Sequence, residues 1–149
     1  MITNPVSGTR IDEIAANIFR ISTPVSVIPG GFTFNQYLIA AEEPLLFHTG
    51  LRRMFPLVRE AIDAVMPVDR LRHVAFSHFE ADECGALNEF LAVAPRAAPL
   101  CGAIAALVSV NDVADRAPRA NLVRSRRAGS APLGRPDLPP GRRRAAGGP

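Results

Sequence analysis

The chain has 149 residues, of which 48% are apolar, so it is long enough for one ordinary domain with a buried core. All 17 basic residues are Arg. Up to Arg116 the chain has nine Arg and thirteen Asp or Glu, so this part carries a negative net charge. After Arg116 it has eight Arg and a single Asp, so the end of the chain is strongly basic. The longest uncharged stretch, 97–110, is too short for a bilayer, and the first residues lack the pattern of a signal peptide. We therefore expect a cytoplasmic protein with no membrane segment.

Apolar periodicity predicts a run of short strands followed by alternating helices and strands. The first strands are expected at 11–14, 17–23, 32–39 and 45–47. An amphipathic helix is predicted from Arg52 to Met66, ended by Pro67. Next come a buried strand at 71–77, a helix with its apolar line over 87–94, a strand at 99–101 and a helix at 103–108. This order predicts an α+β fold with one mixed sheet and helices packed outside it.

The composition changes after Arg116. Residues 117–149 include eight Arg, six Pro and five Gly, with few large apolar side chains. Such a segment cannot bury enough apolar surface to offset the entropy of ordering it. We therefore expect a folded unit at 1–116 and a disordered C-terminal tail at 117–149.

The residues that could carry chemistry are concentrated where the predicted strand 71–77 gives way to a helix. His78, Glu80 and Asp82 alternate along this loop, so their side chains can point the same way. One imidazole and two carboxylates form a hard donor set suited to iron, manganese or zinc. The ordinary alternative is a solvated loop in which Asp82 caps the helix and Glu83 complements its dipole.

The run from His78 to Asp82, H-x-E-x-D, resembles the metal motif of the metallo-β-lactamase superfamily in its oxygen-binding di-iron, flavodiiron-like branch. Two upstream segments support the resemblance. Asn35–Ile39 is similar to the family's N-x-Y-L strand, and Leu46–Gly50 is similar to its strand ending in D-T-G. The resemblance covers about residues 11–115 and implies the N-terminal half of the domain, a partial αββα sandwich. Complete relatives would reduce dioxygen or nitric oxide, or carry out metal-dependent hydrolysis.

By this resemblance, His78 and Glu80 would bind one metal ion and Asp82 a second one. Iron is the implied metal, with zinc or manganese as alternatives. Two positions depart from the family pattern: Glu83 stands where relatives commonly have His, and His48 stands where they often have Asp before T-G. We expect both as hydrogen-bond partners of the site rather than as ligands, and we assign no catalytic residue.

The resemblance stops before the second half of the metal site. The family needs a further His, a bridging Asp and a last His, yet no His follows His78. We therefore expect weak metal binding or none, little or no activity, and a sheet with one uncovered face. The change of composition near Ala117 is what a GC-rich gene gives when it is read out of frame, so we expect a chain shortened by a frame change or an early stop.

Two other hypotheses stay open. In one, the chain is a metallo-hydrolase that completes its site with a partner chain; that partner is unknown, with a second copy or a redox protein as options. In the other, the Arg-rich tail binds nucleic acid through 126–127 and 142–144, with a steep dependence on salt. The tail has no aromatic residue to stack on bases, so this hypothesis is the least favoured.

Overall fold

The computed structural model describes residues 1–120 and arranges their strands in one eight-stranded sheet in chain order. The strands are β1 (Ile2–Asn4), β2 (Thr9–Ala15), β3 (Ile18–Val25), β4 (Phe32–Ile39), β5 (Leu45–Phe47), β6 (His73–Ala75), β7 (Ala98–Cys101) and β8 (Arg119–Ala120). Neighbouring strands are antiparallel from β1 to β5 and parallel from β5 to β8. The sheet is therefore mixed, as the order of predicted elements indicated.

Helical segments connect the parallel strands. They are a 3-10 turn (Arg52–Met54), α1 (Phe55–Asp63), a second 3-10 turn (Val68–Arg70), α2 (Ala81–Cys84), α3 (Leu87–Val93), α4 (Ala103–Ala105), a π-helical turn (Ala106–Val110) and α5 (Asn111–Val113). The predicted helix from Arg52 to Met66 is too long at both ends. The α-helix begins only at Phe55, with Pro56 in its first turn, where a missing N–H costs nothing.

The hydrophobic core lies between one face of the sheet and the helices. Leu38, Leu46 and Val74 are fully buried and occupy the same face of three neighbouring strands. Their partners on the helices are the apolar residues Val58 and Ile62 of α1 and Leu87, Phe90 and Leu91 of α3. Burying each large aliphatic or aromatic side chain contributes about 1.5–3 kcal/mol, so this layer holds the central strands in place.

The opposite face of the sheet also carries apolar side chains. Tyr37 pairs with Phe47, Phe47 with Ala75, and Ala75 with Leu100, so the four residues form a row across β4 to β7. Tyr37, Phe47 and Leu100 are only half-buried. Residues 1–120 contain a single sheet, so no second β layer covers this row within them.

The predicted boundary at residue 116 lies just before β8, which pairs with β7 through Leu100 and Cys101. Most of the predicted tail, residues 121–149, lies outside the described residues. Within residues 1–120, no helix combines the length and the apolar character needed to cross a membrane.

Candidate metal site

The predicted site residues lie at the edge of the sheet where β5 and β6 end. His48 directly follows β5, and its backbone N–H donates to the carbonyl oxygen of Ala75 at 2.7 Å. Ser77 and His78 follow β6 by two and three residues. Because neighbouring parallel strands end at the same edge, the segments 48–50 and 77–83 meet there, and we call them together the rim. Side chains on such loops are positioned by the rigid strands behind them.

A tight turn after β5 joins the two segments of the rim. His48 and Gly50 both have left-handed backbones, with φ of 63° and 76°. Between them, the fully buried Thr49 donates its backbone N–H to the carbonyl oxygen of Glu83 at 2.6 Å, and its hydroxyl accepts the N–H of Ala86 at 3.0 Å. The 48–50 segment is thus fixed to the start of the helical region that follows β6.

The three predicted ligands, His78, Glu80 and Asp82, are all exposed. Glu80 lines an open cleft of about 340 Å³, which neither His78 nor Asp82 lines. Among residues 1–120, no three His, Cys, Asp or Glu side chains come together as a group that could hold a metal ion.

The capping alternative for Asp82 is wrong. The N-cap residue of α2 is Glu80, whose backbone is extended, and it makes no side-chain capping bond. Asp82 instead lies inside the first turn of α2, where its charge is favourable next to the helix N-terminus but does not cap it.

The side chains that do come together at the rim are those of His48, Ser77, His78 and Glu83. Glu83 accepts from the Ser77 hydroxyl at 3.3 Å, and its carboxylate lies 3.2 Å from Nδ1 of His78 and 3.4 Å from Nε2 of His48. It also accepts the backbone N–H of His78. The Ser77 hydroxyl lies 2.8 Å from Nε2 of His48. We call these four residues the Glu83 cluster.

The electrostatics of the cluster favour an ionised carboxylate. Partial burial by itself raises the pKa of Glu83, but hydrogen bonds from the backbone and ring of His78, with smaller contributions from His48 and Ser77, outweigh it. The net effect lowers the pKa of Glu83 below its usual range, so the group is charged at neutral pH. An ionised carboxylate can only accept hydrogen bonds, which matches the donors around it.

The donor types at the rim fit a hard divalent metal, but their arrangement in residues 1–120 does not. Imidazole and carboxylate suit iron, manganese and zinc. A stable site, however, needs several preorganised ligands within about 2.0–2.2 Å of the ion. Here Glu80 faces the cleft, Asp82 lies on the first turn of α2, and His78 is held by Glu83.

Sequence reasoning assigned a role to three of the four cluster residues and none to Ser77. His48 and Glu83 were expected near the site. In the structure they contact each other, and both contact the Ser77 hydroxyl. The sequence feature that could have indicated Ser77 is its position between a buried strand and His78. A hydroxyl there can reach both segments of the rim.

Comparison with known proteins gives partial matches. No family model matches the chain. Diflavin flavoprotein A 2 from Nostoc sp. (strain PCC 7120) is 31% identical over 78 residues, which is 52% of this chain and 14% of that protein. The chain therefore spans about one seventh of this curated relative.

Several solved structures share the fold. A variant of the flavo di-iron protein from Thermotoga maritima superposes with a TM-score of 0.67 at 14% identity, over 75% of this chain and 32% of that one. Rubredoxin oxygen:oxidoreductase from Desulfovibrio gigas gives 0.63 at 17% identity, over 74% and 30%. A class B3 di-zinc metallo-β-lactamase from an Alaskan soil metagenome gives 0.56 at 20% identity, over 66% and 35%.

These identities are low, so the structural matches establish the fold alone. The chain spans about a third of the length of each of these three proteins. Residues 1–120 therefore have part of the metallo-β-lactamase fold, and the predicted resemblance to the N-terminal region of flavodiiron proteins is confirmed.

Proposed function

We propose that this chain is a metallo-β-lactamase-fold protein of the di-iron type with an incomplete metal site. In this proposal His78 and Glu80 contribute to one metal position and Asp82 to a second. Iron is the proposed metal, with zinc or manganese as alternatives. The proposal is supported by the position of all three residues on one rim beyond β6, and by the lack of any group of three His, Cys, Asp or Glu side chains in residues 1–120 that could hold a metal ion.

The consequence for binding follows from the number of ligands. A metal ion held by one imidazole and one carboxylate keeps several water ligands and exchanges readily. We therefore propose weak metal binding by these residues, and little or no activity from them alone. Reduction of dioxygen or nitric oxide, or metal-dependent hydrolysis, would require further donors from beyond residues 1–120.

Two names among the similar proteins support the di-iron type over a hydrolase. One similar structure is a flavo di-iron protein, and another is a rubredoxin oxygen:oxidoreductase. The class B3 di-zinc metallo-β-lactamase has the lowest TM-score of the three. The presence of Glu80 between His78 and Asp82 points the same way, because an extra carboxylate favours a harder metal than an imidazole would.

The alternative is a metallo-hydrolase that completes its site with a partner chain. The exposure of His78, Glu80 and Asp82 favours it, because donors from outside could reach them. A second copy or a redox protein would be the partner. The division into 1–116 and 117–149 also stays a proposal, and the Arg clusters of the nucleic-acid hypothesis lie outside the described residues.

Metal titration of the full chain tests the proposal. Calorimetry with Fe²⁺ under anaerobic conditions, and with Zn²⁺ and Mn²⁺, should give weak binding that His78→Asn reduces further. His73→Asn is the matched control, because His73 lies outside the rim, where its Nε2 is 3.2 Å from the Glu43 carboxylate. One or more tightly bound metal ions per purified chain would contradict the incomplete site. Binding that is unchanged in His78→Asn would contradict the assignment of that ligand.

A further inference from the structure

The Glu83 carboxylate occupies the centre of the rim. Its Oε1 accepts from Ser77 and lies 3.2 Å from Nδ1 of His78, while its Oε2 accepts the backbone N–H of His78 and lies 3.4 Å from Nε2 of His48. Only 14% of the Glu83 side chain is exposed, against 71% of the His78 side chain. One well-shielded carboxylate therefore joins the segment after β5 to the segment after β6.

The chemistry of this contact decides which nitrogen of His78 carries the proton. An ionised carboxylate has no proton to give, so the ring nitrogen that faces it must be the donor. For neutral His78 that nitrogen is Nδ1, which leaves Nε2 as the unprotonated nitrogen. The carboxylate contacts Nδ1 and not Nε2, and the His78 side chain as a whole is largely exposed.

We propose that Glu83 is the positioning residue of the rim, fixing His78 in the tautomer with Nδ1 protonated and presenting Nε2 as a free electron-pair donor. A carboxylate behind a ligating imidazole orients the ring and makes the other nitrogen more basic. The use of Nε2 as a metal ligand rests on the proposed function. The tautomer itself does not, because it follows from the contact between Nδ1 of His78 and the Glu83 carboxylate.

The same contacts hold the two segments of the rim together. The backbone N–H and the ring of His78 both donate to Glu83, so the loop is held at two points of one residue. The Ser77 hydroxyl adds a third contact, and it also reaches Nε2 of His48 at 2.8 Å. The Glu80 side chain, by contrast, makes no capping hydrogen bond at the start of α2, so Glu80→Ala removes a nearby carboxylate and serves as the matched control.

The test is nitrogen NMR of the full chain labelled with ¹⁵N-histidine, with metal removed by a chelator and at a pH where His is neutral. The proposal requires His78 to be mainly in the Nδ1–H form. Glu83→Ala should convert it mainly to the Nε2–H form and speed exchange of the His78 amide hydrogen at least about tenfold. Glu83→Gln keeps an acceptor oxygen and should lie between the two, whereas Glu80→Ala should match the parent chain.

Two results would overturn the proposal. One is a parent chain in which His78 is mainly in the Nε2–H form, or in which the His78 amide hydrogen exchanges without protection. This measurement is made on the parent chain and does not depend on whether a variant folds. The other is a folded Glu83→Ala chain, checked by circular dichroism, whose His78 tautomer equals that of Glu80→Ala. Because the experiment is done without metal, failure of the metal titration would leave its outcome unaffected, and the reverse also holds.

Discussion

Gly85 lies at the crowded junction between α2 and the segment that follows β5. A Cβ atom at this position would overlap the carbonyl oxygen of Ala81 and come within 3.1 Å of the backbone nitrogen of Arg52. Both contacts are with backbone atoms, which cannot rotate away. Substitution here must therefore move α2 or the 3-10 turn that begins at Arg52.

We predict that Gly85→Ala lowers the free energy of unfolding by about 1–3 kcal/mol through overpacking. Gly102→Ala is the matched control, because a Cβ there would meet no atom within 4 Å and the backbone φ is −63°. That control should be neutral or stabilise by about 0.4–1 kcal/mol. Urea denaturation of the two variants measures the difference; equal midpoints would contradict the predicted clash.

Asp12 provides a pH-dependent contact at the edge of the sheet. Hydrogen bonds from Arg10 and from the N-terminal ammonium group, each 2.9 Å, lower the pKa of Asp12 to about 2. Because the pKa is lower in the folded than in the unfolded chain, this contact stabilises the fold above about pH 4. The stabilisation is lost as the pH falls from about 4 through 2.

We predict that Arg10→Gln raises the pKa of Asp12 toward its ordinary value, because it removes the larger of the two contributions. Carbon NMR of the Asp12 carboxylate during an acid titration gives the value directly. Asp69, which forms no ion pair in the described part of the chain, is the internal comparison within the same spectra. A titration of Asp12 that is identical in the parent chain and in Arg10→Gln would contradict the role of Arg10.

At the scale of the element, the last residue of α1 stabilises the turn that follows the helix. Oδ1 of Asp63 accepts the backbone N–H of Val68 at 2.9 Å, which stabilises the turn into the second 3-10 segment. The helical periodicity continues to Met66, which is buried, so the apolar pattern alone predicted a longer helix. Single helical bonds still reach Ala64 and Met66, from Glu60 and Ile62, so the end of the helix is gradual, and Asp63 supports the turn that follows it.

We predict that Asp63→Ala costs about 1 kcal/mol of stability, because it leaves the Val68 N–H without its acceptor. Arg59→Ala should cost less than about 0.5 kcal/mol, since its 3.4 Å ion pair with Asp63 is exposed on both sides. Thermal denaturation of the two variants separates the contributions. A larger loss in Arg59→Ala than in Asp63→Ala would show that the ion pair, and not the turn, is what matters.

The sequence predicted the strands and the position of the rim better than the arrangement of side chains on it. The strand at 32–39 was predicted with its observed bounds, because apolar residues lie on both faces of its second part. The alternation of His78, Glu80 and Asp82 was read as if the loop were extended throughout. Helix α2 begins at Ala81, however, so Asp82 lies in a helical turn whereas the backbone of Glu80 is extended, and the two residues do not alternate along one strand.

At the scale of the molecule, the two faces of the sheet differ in what they contact. One face is closed by the helices, and the other carries the row of Tyr37, Phe47, Ala75 and Leu100, of which all but Ala75 are only half-buried. The helical region 103–113 also leaves Ile104, Leu107 and Val108 at least 73% exposed. The stability of residues 1–120 therefore depends on a single helix-to-sheet layer.

This dependence predicts a contrast between two identical substitutions. Leu46→Ala removes a fully buried side chain from β5, at the centre of that layer, and should cost about 2–5 kcal/mol. Leu107→Ala removes a side chain that is 76% exposed and should change stability by less than about 0.5 kcal/mol. Denaturation of both variants in urea measures the contrast. A cost at Leu107 comparable to that at Leu46 would mean that the exposed helical surface is covered in solution, and that the core does not rest on one layer.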